Sequence, residues 1–159
     1  MPLRSFGPGA PDAAGRRERL TVEGYVLDVI IHRMPGSIEE PGASQFYEAG
    51  GLIDTGASDV CIDYRMAQDL RLRQIDQQTV ATPGGSLLAA VYLGVLEVPA
   101  LDFRRPMPLF ALKVARASYN VILGRSFLSD YIITFDGPSG MFHFDSRTRS
   151  LPEAPPFDE

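Results

Sequence analysis

An aspartate ends an apolar run in the segment Gly51-Leu52-Ile53-Asp54-Thr55-Gly56-Ala57-Ser58. The run reads as a buried strand, and the glycine two residues on makes the turn after it tight. An aspartate in that setting is held rigidly at the floor of a cleft, and Gly56 leaves room for a second backbone to approach. A carboxylate so held can act as a general base on water. Thr55 adds a hydroxyl able to anchor the loop. Taken alone, the tripeptide is more often a simple turn between two strands. Further along, Asn120-Val121-Ile122-Leu123-Gly124-Arg125 supplies a second apolar strand ending at a glycine, and Thr82-Pro83-Gly84-Gly85 lies between the two segments with the residues of a hairpin turn.

Other chemistries lack their parts. Cys61 is the single cysteine, so no intrachain disulfide forms, and with only His32 and His143 it cannot build a thiolate and imidazole metal site. No metal and no cofactor are expected. Cys61 reads as a small buried hydrophobe, and His143, alternating with Phe142 and Phe144, as the solvent face of a strand. Arg104-Arg105 and Arg147-Thr148-Arg149 read as solvated surface. There is no G-x-S-x-G elbow and no phosphate-binding loop.

The elements that must position these residues are mostly strands. With 45% apolar residues and 22% charged in 159, the chain holds one core, and its 15 glycines and 13 prolines favour a turn-rich β-structure. Residues 20–31 read as a strand pair or one long strand broken at Gly24, and 34–44 as a polar loop. Phe46 to Ile53 follows as a strand. Val60 to Ile62 is a short strand running into Asp63, a good N-cap for a helix in which Met66, Ala67 and Leu70 share a face. Residues 77–81 and 86–98 form the hairpin around the Pro-Gly-Gly turn, residues 106–115 and 119–123 two further strands, and residues 124–128 a helical turn. A last hairpin joins 131–136 to 141–145. Residues 1–19 and 146–159 read as disordered tails around a domain spanning 20–145. Eight or nine short strands with two short helices predict a closed, mostly-β barrel.

The net charge of −5 and a single lysine, Lys113, leave no basic stripe, so nucleic acid is not an expected partner. The longest apolar stretch, residues 87–96, is about half of the roughly 20 residues that a membrane-spanning helix needs. No secretory leader is evident at the N-terminus, and a cytoplasmic protein without a membrane partner is expected.

In order along the chain, Leu52-Ile53-Asp54-Thr55-Gly56-Ala57-Ser58, Pro83-Gly84-Gly85 and Ile122-Leu123-Gly124-Arg125 resemble the retropepsin-like aspartic proteases, the single-domain family of the retroviral proteases and their bacterial and cellular relatives. Residues 127–137 look more like the bacterial members. The resemblance implies an acid-protease barrel in which Asp54 is catalytic, Thr55, Gly56 and Ala57 shape its loop, and Gly124 lets its strand pass close behind. It makes Pro83, Gly84 and Gly85 the tip of a flap. Viral members place an aspartate at the position of Ser58, where it pairs with the arginine matched by Arg125, so Arg125 needs another acceptor. Asp59 stands one residue on, but adjacent residues of a strand face opposite ways. Peptide hydrolysis by this chemistry needs two carboxylates sharing a proton, and the chain holds one Asp-Thr-Gly. A homodimer acting on peptide or protein substrates is therefore implied, with a catalytically silent dimeric barrel that binds peptide segments as the other reading.

Overall fold

The computed structural model describes residues 4–7, 10–36, 41–116 and 118–145. Ten strands and three helices follow in the order β1 (Arg4–Phe6), α1 (Ala13–Glu23), β2 (Val26–His32), β3 (Phe46–Ile53), β4 (Cys61–Asp63), α2 (Tyr64–Asp69), β5 (Arg73–Thr82), β6 (Gly85–Val98), β7 (Phe103–Leu112), β8 (Val121–Leu123), α3 (Arg125–Leu128), β9 (Ile132–Asp136) and β10 (Met141–Asp145). A single 3-10 turn, Pro99–Leu101, joins β6 to β7. None of the described helices is long and apolar enough to cross a membrane.

Seven strands form one sheet in the order β2-β3-β8-β4-β7-β6-β5, and β2 also pairs with β6. That extra pairing, Ile30 with Glu97, Ile31 with Leu96 and His32 with Val95, closes six strands into the expected barrel and leaves no free edge in that ring. β5 stands outside it, paired only with the long β6, so the two project from the barrel as a hairpin.

Strand alternation gives the sheet two apolar faces. Leu27, Val29, Ile31, Leu96, Leu109, Val121 and Leu123 point into the barrel core. Phe110 and Ile122, next to Leu109 and Val121, and Cys61, next to the core residue Ile62, face the other way and meet Ala89, Val91 and Val80 beneath the hairpin in a second cluster. An aromatic layer closes one end of the barrel. Phe127 contacts Phe103 edge to face at 4.9 Å and Tyr131 at 5.4 Å, and Tyr131 leads on to Phe144 at 5.3 Å. These rings lie under a small sheet in the order β1-β10-β9.

The N-terminal region differs from its expected character. Residues 4–6, expected within a disordered tail, pair with β10 in the register Arg4 to Phe144. Residues 13–23 form α1, so Leu20 to Glu23 is helical rather than part of a strand, and Gly24 at φ 78° is the helix C-cap. The Asp12 carboxylate caps its start by accepting from Gly15 N at 2.7 Å. Arg16 holds the helix to the β9–β10 turn by donating from Nε to the Ser139 carbonyl at 2.9 Å. No residue of α1 is buried, which is why apolar periodicity gives no sign of it. The expected tail 146–159 lies outside the described residues.

The Asp63 cap is as the sequence predicts. Its carboxylate accepts from Arg65 N at 3.1 Å and also from Ala115 N at 3.2 Å, tying α2 to the segment after β7 while only 5% exposed. Asp63→Ala removes the cap and strands a backbone donor. Urea denaturation is expected to show a loss of roughly 1–3 kcal/mol, and an unchanged midpoint would contradict this double role.

Candidate active site

β3 and β4 are consecutive in the chain but lie on either side of β8, parallel to the first and antiparallel to the second. Residues 54–60, which connect them, must pass over the C-terminal end of β8. The crossing is tight. A Cβ on Gly124 would stand 2.2 Å from the Asp59 carbonyl oxygen, so only glycine fits there.

Asp54 opens this crossing loop. Its backbone N donates to the Leu123 carbonyl at 3.1 Å, and the preceding Ile53 N donates to the Tyr25 carbonyl at 2.8 Å. The side chain is half-buried, and its Oδ1 accepts from Gly56 N at 2.8 Å, a local turn that fixes the carboxylate. No described residue bonds to Oδ2. Asp54 and Ala57 line a cavity of about 420 Å³ from the loop side.

The partner of Arg125 is the loop itself. Its guanidinium Nη1 donates to the carbonyls of Thr55 at 2.8 Å and Gly56 at 3.0 Å. The backbone of α3 adds two more bonds, Arg125 N to Ala57 O at 2.9 Å and Ser126 N to Ser58 O at 2.8 Å. Neither Ser58 nor Asp59 serves as the acceptor. The Thr55 hydroxyl, expected to anchor the loop, makes no bond to a described residue, and its carbonyl does the anchoring instead.

The hairpin tip hangs over the same cavity. Thr82 pairs with Gly85 across Pro83 and Gly84, the Thr82 hydroxyl donates to the Gly85 carbonyl at 2.7 Å, and Gly85 adopts φ 115°, a conformation that favours glycine. Val80, Ala81, Thr82 and Pro83 form the roof, and Cys61, Phe110, Leu112 and Ile122 the apolar floor. Gly84 and Gly85 lie at the exposed end, beyond the lining. A larger cavity of about 690 Å³, at Asp28, Glu48 and Arg116 against β2 and β3, contains none of the predicted site residues.

The lining role of Asp59 and of the four floor residues is what the sequence reading missed. Alternation along β4, β7 and β8 was the available signal, because residues one step from the core positions must share the opposite face. Cys61 is buried as expected, and its thiol is pushed up to about 11, chiefly by burial and then by the negative charges of Asp59 and Asp54.

A family model described as aspartyl protease matches residues 42–127, just over half of the chain, and spans the Asp54 loop, the hairpin and β8. The chain belongs to the aspartyl protease family. Among solved structures it is similar to the simian foamy virus protease, at 17% identity over 66% of this chain and 92% of that one, with a TM-score of 0.44. The protease of EIAV gives 17% identity over 67% and 86% at 0.46, and a retropepsin-like aspartic protease from Rickettsia conorii 18% over 76% and 91% at 0.41. A search of curated protein sequences finds no match.

Two outcomes follow for this aspartyl protease site. Gly124→Ala is expected to lower stability by at least about 2 kcal/mol, because the obstructing atom is backbone and the loop must shift. A midpoint like that of the parent in urea would contradict the close crossing. The raised thiol keeps Cys61 protonated in the folded state while an unfolded thiol ionises near its ordinary value of 9.0, so stability is complete below that pH and falls as pH rises towards about 11. At pH 8 a disulfide reagent should leave the native thiol untouched and react once urea unfolds the chain; rapid native reaction would show the site to be open.

Proposed function

We propose that this member of the aspartyl protease family is an endopeptidase that works as a C2 homodimer, with Asp54 and its symmetry mate forming the catalytic pair. The observation that carries the reading is the Asp54 carboxylate, fixed through Oδ1 by Gly56 N, free at Oδ2 and set beneath a projecting hairpin. Its family supplies the reaction class. The chain holds one Asp-Thr-Gly, so one protomer contributes half of the pair.

Two carboxylates about 3 Å apart cannot both ionise cheaply, and the pair therefore holds one proton. The ionised member takes a proton from water as its oxygen attacks the peptide carbonyl carbon, and the protonated member gives its proton to the carbonyl oxygen. Collapse of the tetrahedral species breaks the C–N bond; the leaving nitrogen takes the proton held by the first carboxyl, and the second carboxylate takes back a hydroxyl proton as the new carbonyl forms, so the pair again holds one proton. In this dimer Thr55 and Gly56, both exposed on the loop, meet the partner loop. Arg125 holds their carbonyls from behind. A substrate segment binds extended beneath β5 and β6, adding a strand next to the hairpin, with Pro83, Gly84 and Gly85 at the tip of each of two flaps.

Asp54→Asn keeps the side-chain volume and removes the base, so peptide hydrolysis is expected to be lost with the melting temperature little changed. Mixing the parent with an excess of this variant should poison activity through mixed dimers. Rates and sedimentation followed on the same dilution series decide the shared site: specific activity should fall as dimer dissociates. A monomer with undiminished specific activity would refute the proposal.

A further inference from the structure

The cavity below the hairpin carries a charge that the hydrolytic chemistry does not use. Asp59 lines it two residues before the floor residue Cys61, half-buried, and no described residue bonds or pairs with its carboxylate. Arg125, which follows the glycine against which Asp59 packs, is engaged elsewhere, since its guanidinium donates to the carbonyls of Thr55 and Gly56. The lining contains no lysine, arginine or histidine. Its remaining walls are apolar, from Val80 in the roof to Phe110, Leu112 and Ile122 in the floor.

Such a pocket has a definite preference. A purely aliphatic side chain would cover the walls but strip water from Asp59 without replacing it, which is costly for a carboxylate. An acidic side chain would meet two like charges, Asp59 and Asp54. Lysine and arginine have the matching build, an apolar stem for the walls and a cationic head for the carboxylate. The volume of about 420 Å³ accommodates either.

The geometry points to Asp59 as the residue that sets substrate choice at this pocket, by selecting a lysine or arginine side chain of the bound peptide near the cleaved bond. This rests on the peptidase reading above, and it gives Asp59 a role in specificity separate from the part Asp54 plays in hydrolysis. Ser58 and Asp59 divide the work of the crossing loop accordingly. The backbone of Ser58 is bound to α3 through its carbonyl, while Asp59 turns its side chain to the cleft.

The experiment compares peptides that carry arginine or citrulline, its neutral counterpart of nearly the same shape, at each position flanking the cleaved bond. The parent protein is expected to show a kcat/KM ratio of arginine to citrulline of about ten at one of these positions, equal to about 1.4 kcal/mol. In Asp59→Asn the ratio should fall to about one, and in Asp59→Lys a glutamate at that position should become the better residue. A parent ratio near one, or a ratio unchanged in Asp59→Asn, overturns the inference. The same peptides are titrated by fluorescence polarisation against Asp54→Asn with and without the Asp59 change, a measurement that needs no turnover. Selective binding of the arginine member, lost with Asp59→Asn, together with a parent protein that cleaves none of the peptides would sink the peptidase reading and keep this one. Equal binding of both members overturns this one whatever the activity.

Discussion

The crossing of residues 54–60 over the end of β8 is the constraint on which the site depends. It arises from topology, since β8 is inserted between two strands that are neighbours in sequence. A chain that must pass over a strand end at van der Waals contact has few conformations open to it. The glycine at 124 permits the contact, and the main-chain bonds from Asp54, Arg125, Ser126 and Phe110, the last to the Val60 carbonyl, then fix the loop at both ends and in the middle. The carboxylate of Asp54 inherits that rigidity at little entropic cost of its own, because its one local bond, to Gly56 N, closes within an already fixed loop. The arginine next to the glycine completes the arrangement. With five donors in a plane, Arg125 reaches two carbonyls from one nitrogen and needs no carboxylate partner to hold the loop.

The two-faced strands explain how a small barrel holds both a core and a cleft. β4, β7 and β8 each bury one set of side chains inside and present the next residues to the hairpin. Ile62 and Cys61, Leu109 and Phe110, and Val121 and Ile122 are such pairs. An apolar residue at each outward position is needed only because the hairpin folds back over it. The near-continuous apolar runs of these strands are therefore the imprint of double burial, in the way that strands covered on both faces lose their alternation.

How much of this was legible depended on whether a feature is local. The Asp63 cap, the Asp54 turn and the Pro83-Gly84 hairpin tip are each set by a few adjacent residues, and each stands where the sequence puts it. The closed barrel was legible from the count and length of apolar runs. α1 was not, because its residues are exposed and its evidence is two caps, Asp12 and Gly24, in a segment rich in glycine and arginine. β5 begins at Arg73, well before the expected start at 77, since its early residues Arg73, Gln74 and Asp76 are polar and pair with β6 without burying a face. The acceptor of Arg125 could not be read at all. Backbone carbonyls have no letter in a sequence, and a search among carboxylates for a partner passes over them.

The hairpin completes the physical logic of the site through its lack of support. Beyond the barrel rim it is a two-stranded ribbon, an arrangement of marginal stability on its own in water. Ile75, Leu87 and Leu88 on it are 44%, 40% and 64% exposed, so its apolar residues are only partly used by the fold of the chain. Its root is held by Ala89 and Val91 against Phe110, while its tip has only the Thr82 bond to Gly85 across the turn. Stability therefore declines from root to tip, which is the gradient an opening lid requires. Raising the hairpin would expose the apolar floor and the Asp54 carboxylate together without disturbing the crossing loop, because no backbone bond among the described residues joins the hairpin tip to residues 54–60. A rigid carboxylate and a loosely held cover are thus separate mechanical parts, so that the one can move while the other stays fixed.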